Sequence, residues 1–452
     1  MGMLQYYNIL QDLNIHIPST GHPSATFGYR NFAAMYLICA IPLSVLYFLW
    51  ATSRLSTIIA ILSTISMTTF LIYTRTRGAW GGLGGGVVVV MAILFLNANF
   101  RKAWLAAVGS KFNKEKTILF SIGILLLLSL AQLSPRFTDT GLQRFDEKKA
   151  NITTTVASVF QSGGDRGRSE MWRNTLNLIQ DHPLIGIGPG SWKRTYPPYD
   201  RGVMIRQNTS PVRPHNDYLW TASEYGLLGL LCYLGFFTAI FYAIYQTQHS
   251  TDPLQIASGP LIAVALLAFM GHAFFSFPKE QPQAAIFVYL LAGLIITPHR
   301  HNLSRLASRA ILLVIIVQSL SATALYYAYM RFDRHYLYAL VAEDHNDWPG
   351  VEREIRSALN WGSFRSHAWV IAGRATERRE NFVEAESAYR QAISLSPHSW
   401  HAHNGLGIVL KRQKRYAEAE RHYLEALRYF PGEGNAHSAN IRTNLGALYK
   451  SM

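Results

Sequence analysis

Asn31-Phe-Ala-Ala-Met-Tyr-Leu-Ile-Cys-Ala-Ile-Pro-Leu-Ser-Val-Leu-Tyr-Phe-Leu-Trp50 decides the fold class: 20 consecutive residues without a charge. As a helix such a run crosses a hydrocarbon layer of ~30 Å. Working outward from it, seven more apolar runs follow, at about 55–74, 81–97, 117–134, 226–245, 258–276, 283–298 and 309–330. Eight candidate spans predict an all-α, polytopic membrane bundle. The remainder is polar and charged, so a soluble tail is expected after residue 330.

The 452 residues are 49% hydrophobic and only 15% charged, with a formal net charge of +15. An ordinary soluble domain carries more charge. An excess of Lys and Arg often points to nucleic acid, but in a membrane protein it points first to loop topology and anionic lipid. No nucleic-acid partner is expected; membrane lipid is. Cys39 and Cys232 both fall within apolar runs and build neither a disulfide framework nor a metal site. Residues 1–30 have no basic residue before Arg30 and no signal-peptide core. Either the first span acts as the signal or further spans precede Met1, and the second is the expectation.

The short connections give an orientation. Arg101, Lys102, Lys111, Lys114 and Lys116 follow the third span, and Arg300, Arg305 and Arg309 lie between the seventh and eighth. Both sets belong on the cytoplasmic side by the positive-inside rule. The N-terminal segment, the Arg75–Gly82 turn, the long 135–225 segment, the Phe277–Gln283 turn and the tail then lie outside. Arg75 and Arg77 are discordant there, and basic residues held against a topological bias are candidates for a function. The glycines from Gly81 to Gly86 lack the Lys-Ser/Thr of a phosphate loop and read as close helix packing. His272 sits inside an apolar run, where polar residues are costly.

The tail repeats with a period of 34. Asn381-Phe-Val-Glu-Ala385, Tyr389, Ala392 and Pro397 recur as Arg415-Tyr-Ala-Glu-Ala419, Tyr423, Ala426 and Pro431, with a weaker copy at Trp348 and Ala358. Small residues let paired helices approach, aromatic residues fill the gap and proline ends the second helix. This resembles a tetratricopeptide array, an α-solenoid that stacks helix pairs. Asn440–Lys450 reads as a capping helix. The array implies a protein partner or self-association.

Some 90 residues separate the fourth and fifth runs, too many for a plain connector. They hold Arg168-Ser-Glu-Met-Trp172, opening a helical pattern, then Asp181-His-Pro183, Gly186-Ile-Gly-Pro-Gly190-Ser-Trp192 and His215-Asn216, followed by Glu224-Tyr-Gly226-Leu-Leu-Gly229. The glycines 186, 188 and 190 read as turn geometry, not as a dinucleotide fingerprint. Trp192, Tyr196 and Tyr199 read equally well as sugar-stacking rings and as packing of the loop.

In this order, Arg-x-x-x-Trp, His-Pro-x-x-Gly-x-Gly-x-Gly and His-Asn-x-x-Leu-x4-Glu-x-Gly-x-x-Gly resemble the O-antigen ligase and polymerase superfamily. Thr26-Phe-Gly-Tyr-Arg-Asn31 and Thr76-Arg77-Gly78-Ala-Trp80 resemble two further motifs of it. The likeness covers about residues 25–298, and this chain begins at a point corresponding to the middle of such proteins. The resemblance implies transfer of a glycan from a polyprenyl-diphosphate carrier to an acceptor, lipid A core or protein, on the outer face of the bacterial inner membrane. It implies no metal, no cofactor and no nucleotide sugar. Arg77 and Arg168 match the family's arginines, suited to diphosphate oxygens. His215 matches its histidine, suited to taking the acceptor hydroxyl proton. Asn216 orients His215 or the acceptor. Arg30, Arg213 and Glu224 complete the substrate-binding candidates. Glu224 also reads as a cap or ion-pair residue, and a boundary histidine also occurs as a plain interfacial residue.

The expected organisation is an extracytoplasmic segment 1–30, four spans in 31–134, a periplasmic catalytic loop 135–225, four spans in 226–330 and periplasmic repeats in 331–452. Ligase is the expected activity, polymerase the alternative within the superfamily. A non-catalytic membrane-anchored repeat scaffold for envelope glycan assembly is the alternative from another class.

Overall fold

The computed structural model describes residues 29–131, 167–200, 211–296, 305–363, 365–429 and 436–452. Among them the regular structure is helical throughout. Thr26–Gly28 of the first motif and Pro431 of the second repeat lie outside the described residues. Contacts divide the chain into two compact units: 1–172 with 183–186 and 214–300, and 173–182 with 187–213 and 301–452.

The first unit is the apolar bundle. Its helices are α1 (Arg30–Trp50), α2 (Arg54–Tyr73), α3 (Arg77–Leu96), α4 (Ala98–Gly109), α5 (Lys114–Ala131), α7 (Asp217–Gln246), α8 (Pro253–Ala273) and α9 (Pro282–Ile296); α6 (Arg168–Asp181) begins in it. Five of these, α1, α2, α3, α7 and α8, are long and apolar enough to cross a membrane. α9 is apolar but shorter, and α5 opens on Lys114, Glu115 and Lys116. The basic connection after α3 is itself helical, as α4, started by the Asn97 side chain accepting from the Phe100 amide.

α8 is the hub, packed on α1, α3, α4, α7 and α9. Gly82 and Gly86 make its contact with α3 possible: a Cβ at Gly82 would stand 2.5 Å from the Ala268 carbonyl oxygen, and one at Gly86 2.9 Å from that of Val264. Gly81, Gly84 and Gly85 face open space. The glycine cluster therefore serves close helix packing, and it does so through one face of α3.

α7 starts at Asp217, nine positions before the expected 226. The Asn216 side-chain oxygen accepts from the amides of Tyr218 and Leu219, both at 3.0 Å, and caps it. Gly226, at φ 69° and ψ −174°, then kinks the helix where the apolar run begins.

Polar contacts sort the connections onto two ends. At one end Lys116 Nζ donates to the Leu49 carbonyl at 2.7 Å, and Asn97 Nδ2 donates to Gln248 Oε1 at 3.2 Å. At the other, Thr76 Oγ1 donates to Asn31 Oδ1 at 3.2 Å and Tyr73 OH to the Leu130 carbonyl at 2.6 Å.

In the second unit one helix, α10 (Arg305–Asp344), runs through the eighth predicted span and on into the first repeat. α11 (Trp348–Trp361), α12 (Ser366–Arg378), α13 (Phe382–Leu395), α14 (Trp400–Arg412), α15 (Tyr416–Tyr429) and α16 (Ala436–Tyr449) follow. Each neighbours the next. Helix starts at 348, 382 and 416 keep the 34-residue period. Ala385, Ala392, Ala419 and Ala426 are fully buried with Tyr389 and Tyr423 between the helices. The weak first copy is a real helix pair, with Phe332 of α10 buried against α11 and α12. Arg415 links successive repeats, bonded to Glu386 at 2.8 Å and Glu418 at 2.7 Å.

Candidate functional site

The site is at the end of the bundle where Asn31 meets Thr76. His215 stands there at φ 53°, a left-handed conformation that costs a non-glycine residue about 1–3 kcal/mol. Both neighbours hold it. On one side Pro214 accepts a 2.8 Å hydrogen bond from the indole Nε1 of Trp172. On the other, Asn216 is buried and committed to capping α7. The half-buried imidazole meets the Phe277 ring edge-on, centroids 5.2 Å apart.

Arg168 is the first residue of α6, and Trp172, one turn on, lies 6.1 Å from the Phe275 ring. Arg77 is the first residue of α3, after a tight turn in which Arg75 is buried at φ 51°. Buried His272 joins these two arginine segments. Its Nδ1 is 3.0 Å from where a Cβ on Gly78 would lie, and Arg168 is near enough for its charge to act on the ring. Arg30 opens α1, and Phe32, on that same first turn, meets the Phe277 ring at 6.1 Å. Arg30, Arg77, Arg168, His215 and Asn216 are thus gathered at one end of the first unit. Arg213 is half-buried and belongs to the second unit.

Glu224 is buried within α7, two residues before the kink. The Pro183–Gly186 segment lies directly on that kink. The Leu227 amide donates to the Pro183 carbonyl at 2.8 Å. A Cβ on Gly186 would stand 2.5 Å from the Glu224 carbonyl carbon, and one on Gly226 would overlap the Leu184 carbonyl oxygen. The His-Pro-x-x-Gly and Glu-x-Gly motifs are therefore two halves of one backbone junction. Gly186, Gly188 and Gly190 all have positive φ, the turn geometry expected of them.

Lys279 belongs to none of the sequence motifs. It lies on the α8–α9 turn, with its amide donating to Asp217 Oδ2 at 3.0 Å and Nζ donating to Thr221 Oγ1 at 2.7 Å. Nζ also sits 4.7 Å from the Trp220 ring centroid. Burial pulls this amine below its ordinary range, while the charges of Asp217, Glu224 and Glu280 oppose that shift. Only a helix start carrying carboxylates opposite a basic turn hints at the pairing, and nothing in the local sequence places the two turns together.

In the second unit the loop aromatic residues pack each other. Trp192 and Tyr196 are fully buried and stacked at 4.3 Å. Trp192 Nε1 donates to Thr175 Oγ1 at 3.3 Å, and Tyr196 OH to Asp200 Oδ1 at 2.9 Å. Packing, not sugar stacking, accounts for these two rings. Tyr199 donates to Asp181 at 2.6 Å, and burial together with that carboxylate pushes its phenol up to about 12.

Fold and site together define an all-α, multi-pass membrane protein with a histidine–arginine cluster at one bundle end and a C-terminal helical-repeat domain. Residues 62–234 match the family model described as O-antigen ligase, and residues 400–433 match the tetratricopeptide repeat. The chain is thus similar to O-antigen ligases over residues 62–234 and to a tetratricopeptide repeat over residues 400–433. It is 27% identical over 125 residues to an O-antigen polymerase of Salmonella muenchen, covering 28% of this chain and 27% of that protein. Over 150 residues it is 25% identical to an O-antigen ligase of Pseudomonas aeruginosa, covering 30% of this chain and 35% of that protein. The chain thus spans 27% and 35% of the lengths of these curated relatives. Among solved structures it is similar to the Arabidopsis OM64 TPR domain, with a TM-score of 0.26 and 15% identity, covering 28% of this chain and 99% of that one.

Proposed function

We propose that this chain transfers a glycan from a polyprenyl-diphosphate carrier to a hydroxyl acceptor, lipid A core or protein, at the outer face of the bacterial inner membrane. The observation that carries this reading is the gathering of Arg77, Arg168 and His215 at one bundle end, around His272, Trp172 and Phe277. Arginine binds phosphate oxygens bidentately, and two arginines at the interface suit a lipid-anchored diphosphate. The neutral His215 imidazole takes the acceptor hydroxyl proton as that oxygen bonds to the anomeric carbon. The bond from that carbon to the phosphate oxygen breaks, and the carrier diphosphate leaves with its electron pair. Attack opposite the leaving group inverts the anomeric centre.

Arg30 and Arg213 are further carrier or sugar contacts. Asn216 and Glu224 act from α7, the first by fixing the backbone at His215. Lys111 and Lys116 lie at the other bundle end, beside Trp50 and Leu49, which supports placing the His215 end outside. The repeats engage a protein partner or a second copy, on the periplasmic side.

The test is His215→Ala in a strain deleted for the gene. Surface glycan transfer is lost at unchanged protein level; unaltered transfer overturns the mechanism. The deletion strain also separates ligase from polymerase. Unattached polymer marks a ligase, and lost chain-length laddering a polymerase. Restoration of function by the repeats alone would mean a scaffold.

A further inference from the structure

Lys279, on the α8–α9 turn, makes its backbone and side-chain hydrogen bonds to the start of α7. Its amide bonds Asp217 and its ammonium bonds Thr221, so the α8–α9 turn is clamped to the first two turns of that helix. Thr221 Oγ1 in turn donates to the Asp217 carbonyl at 2.6 Å, which closes the cluster. Asp217 and Glu224 are both buried, and Lys279 supplies positive charge to them. Two residues before Lys279, on the same turn, Phe277 is buried and lies edge-on to His215 at 5.2 Å. Asp217 is likewise two residues from His215. The clamp thus grips the histidine from both sides, through the chain at Asp217 and through the ring at Phe277.

We propose that Lys279 is a positioning residue of the transfer site, holding Phe277 against the His215 imidazole by clamping the α8–α9 turn to Asp217 and Thr221. The inference rests on the reading of His215 as the general base. A displacement of about 1 Å at such a group costs on the order of a hundredfold in rate. A residue that acts through Phe277 also loses its effect once Phe277 is gone, because coupled positions are not additive.

The experiment uses the full chain in the deletion strain, scoring glycan transfer at matched membrane level and matched melting temperature in detergent. Lys279→Met and Phe277→Leu each lower transfer by roughly ten- to a hundredfold, and the double variant is no worse than the poorer single. Lys279→Arg, which keeps the charge and the donors, restores most of the rate. Thr221→Val, which removes the ammonium's partner but not its charge, gives a smaller loss in the same direction and serves if Lys279→Met fails to accumulate. A wild-type rate in Lys279→Met, or in Thr221→Val where Lys279→Met fails to accumulate, overturns the proposal. So do losses that multiply in the double variant, or arginine failing where methionine fails. His215→Ala in the same assay keeps the two readings apart. If it transfers normally, the general-base reading falls and the clamp with it. If it is inactive while Lys279→Met is normal, only the clamp falls.

Discussion

Trp172 and Pro214 are joined by a 2.8 Å hydrogen bond between an indole N–H and a backbone carbonyl, across 42 positions of sequence. That bond ties the helix headed by Arg168 to the residue before His215. Trp172→Phe keeps a ring against Phe275 but leaves the carbonyl short of a donor. Transfer is expected to fall about tenfold, the consequence of about 1–2 kcal/mol at a positioning contact. Membrane level stays unchanged. A wild-type rate on a glycan gel would show that the bond does not position His215.

The junction between Pro183–Gly186 and the α7 kink makes a harsher prediction. Gly226→Ala places a methyl into the Leu184 carbonyl at φ 69°, and Gly186→Ala meets the α7 backbone at φ 68°. Each is expected to destabilise by about 2–4 kcal/mol, from strain and overpacking together. Gly190→Ala has similar φ but open space, so it costs only the backbone term of about 1–2 kcal/mol. Melting of the detergent-solubilised chain ranks the three, and equal loss at all three would contradict the junction.

The glycine face of α3 allows a paired test. Gly84→Ala points into open space and is expected to leave accumulation unchanged, whereas Gly82→Ala meets the Ala268 carbonyl oxygen at 2.5 Å. Pushing α3 off α8 also moves Gly78 relative to His272. Gly82→Ala should therefore lower both accumulation and transfer, and normal levels of both would contradict the observed packing.

In the repeats, His403 Nε2 must donate to the Pro397 carbonyl at 2.9 Å, so its Nδ1 accepts from His422 Nδ1 at 3.0 Å. Burial, then the neighbouring His403, Arg390 and Arg421, hold His422 down to about 4. Unfolded, it titrates near 6.5. Between those values the unfolded chain binds a proton that the folded chain does not, so stability falls as pH drops through 6.5 toward 4. The melting transition of the full chain, followed by circular dichroism, is expected several degrees lower at pH 5 than at pH 7.5. His422→Gln should make that dependence shallower, by the share that His422 contributes beside the other buried histidines. The same slope in both chains would remove the histidine pair as its cause.

Sequence alone determined the helical class, the presence of several apolar spans, the repeat period and the motifs from which a site is proposed. These follow from chemistry carried within one helix or loop: an uncharged 31–50 run needs lipid or a core, and a 34-residue period needs a stack. The charges also set an expected order of inside and outside before any contact was known. Only the tertiary structure decided which residues meet. It turned Asn216 into a helix cap, moved the start of α7 back to Asp217, and made the two glycine motifs a single junction. It buried Trp192 and Tyr196 in each other and brought Lys279, 62 positions away, onto Asp217. The reason is physical. Propensity and hydrophobic period act over a few residues, but the partner of a buried carboxylate or of a missing Cβ is chosen by whichever segment packing brings across the bundle.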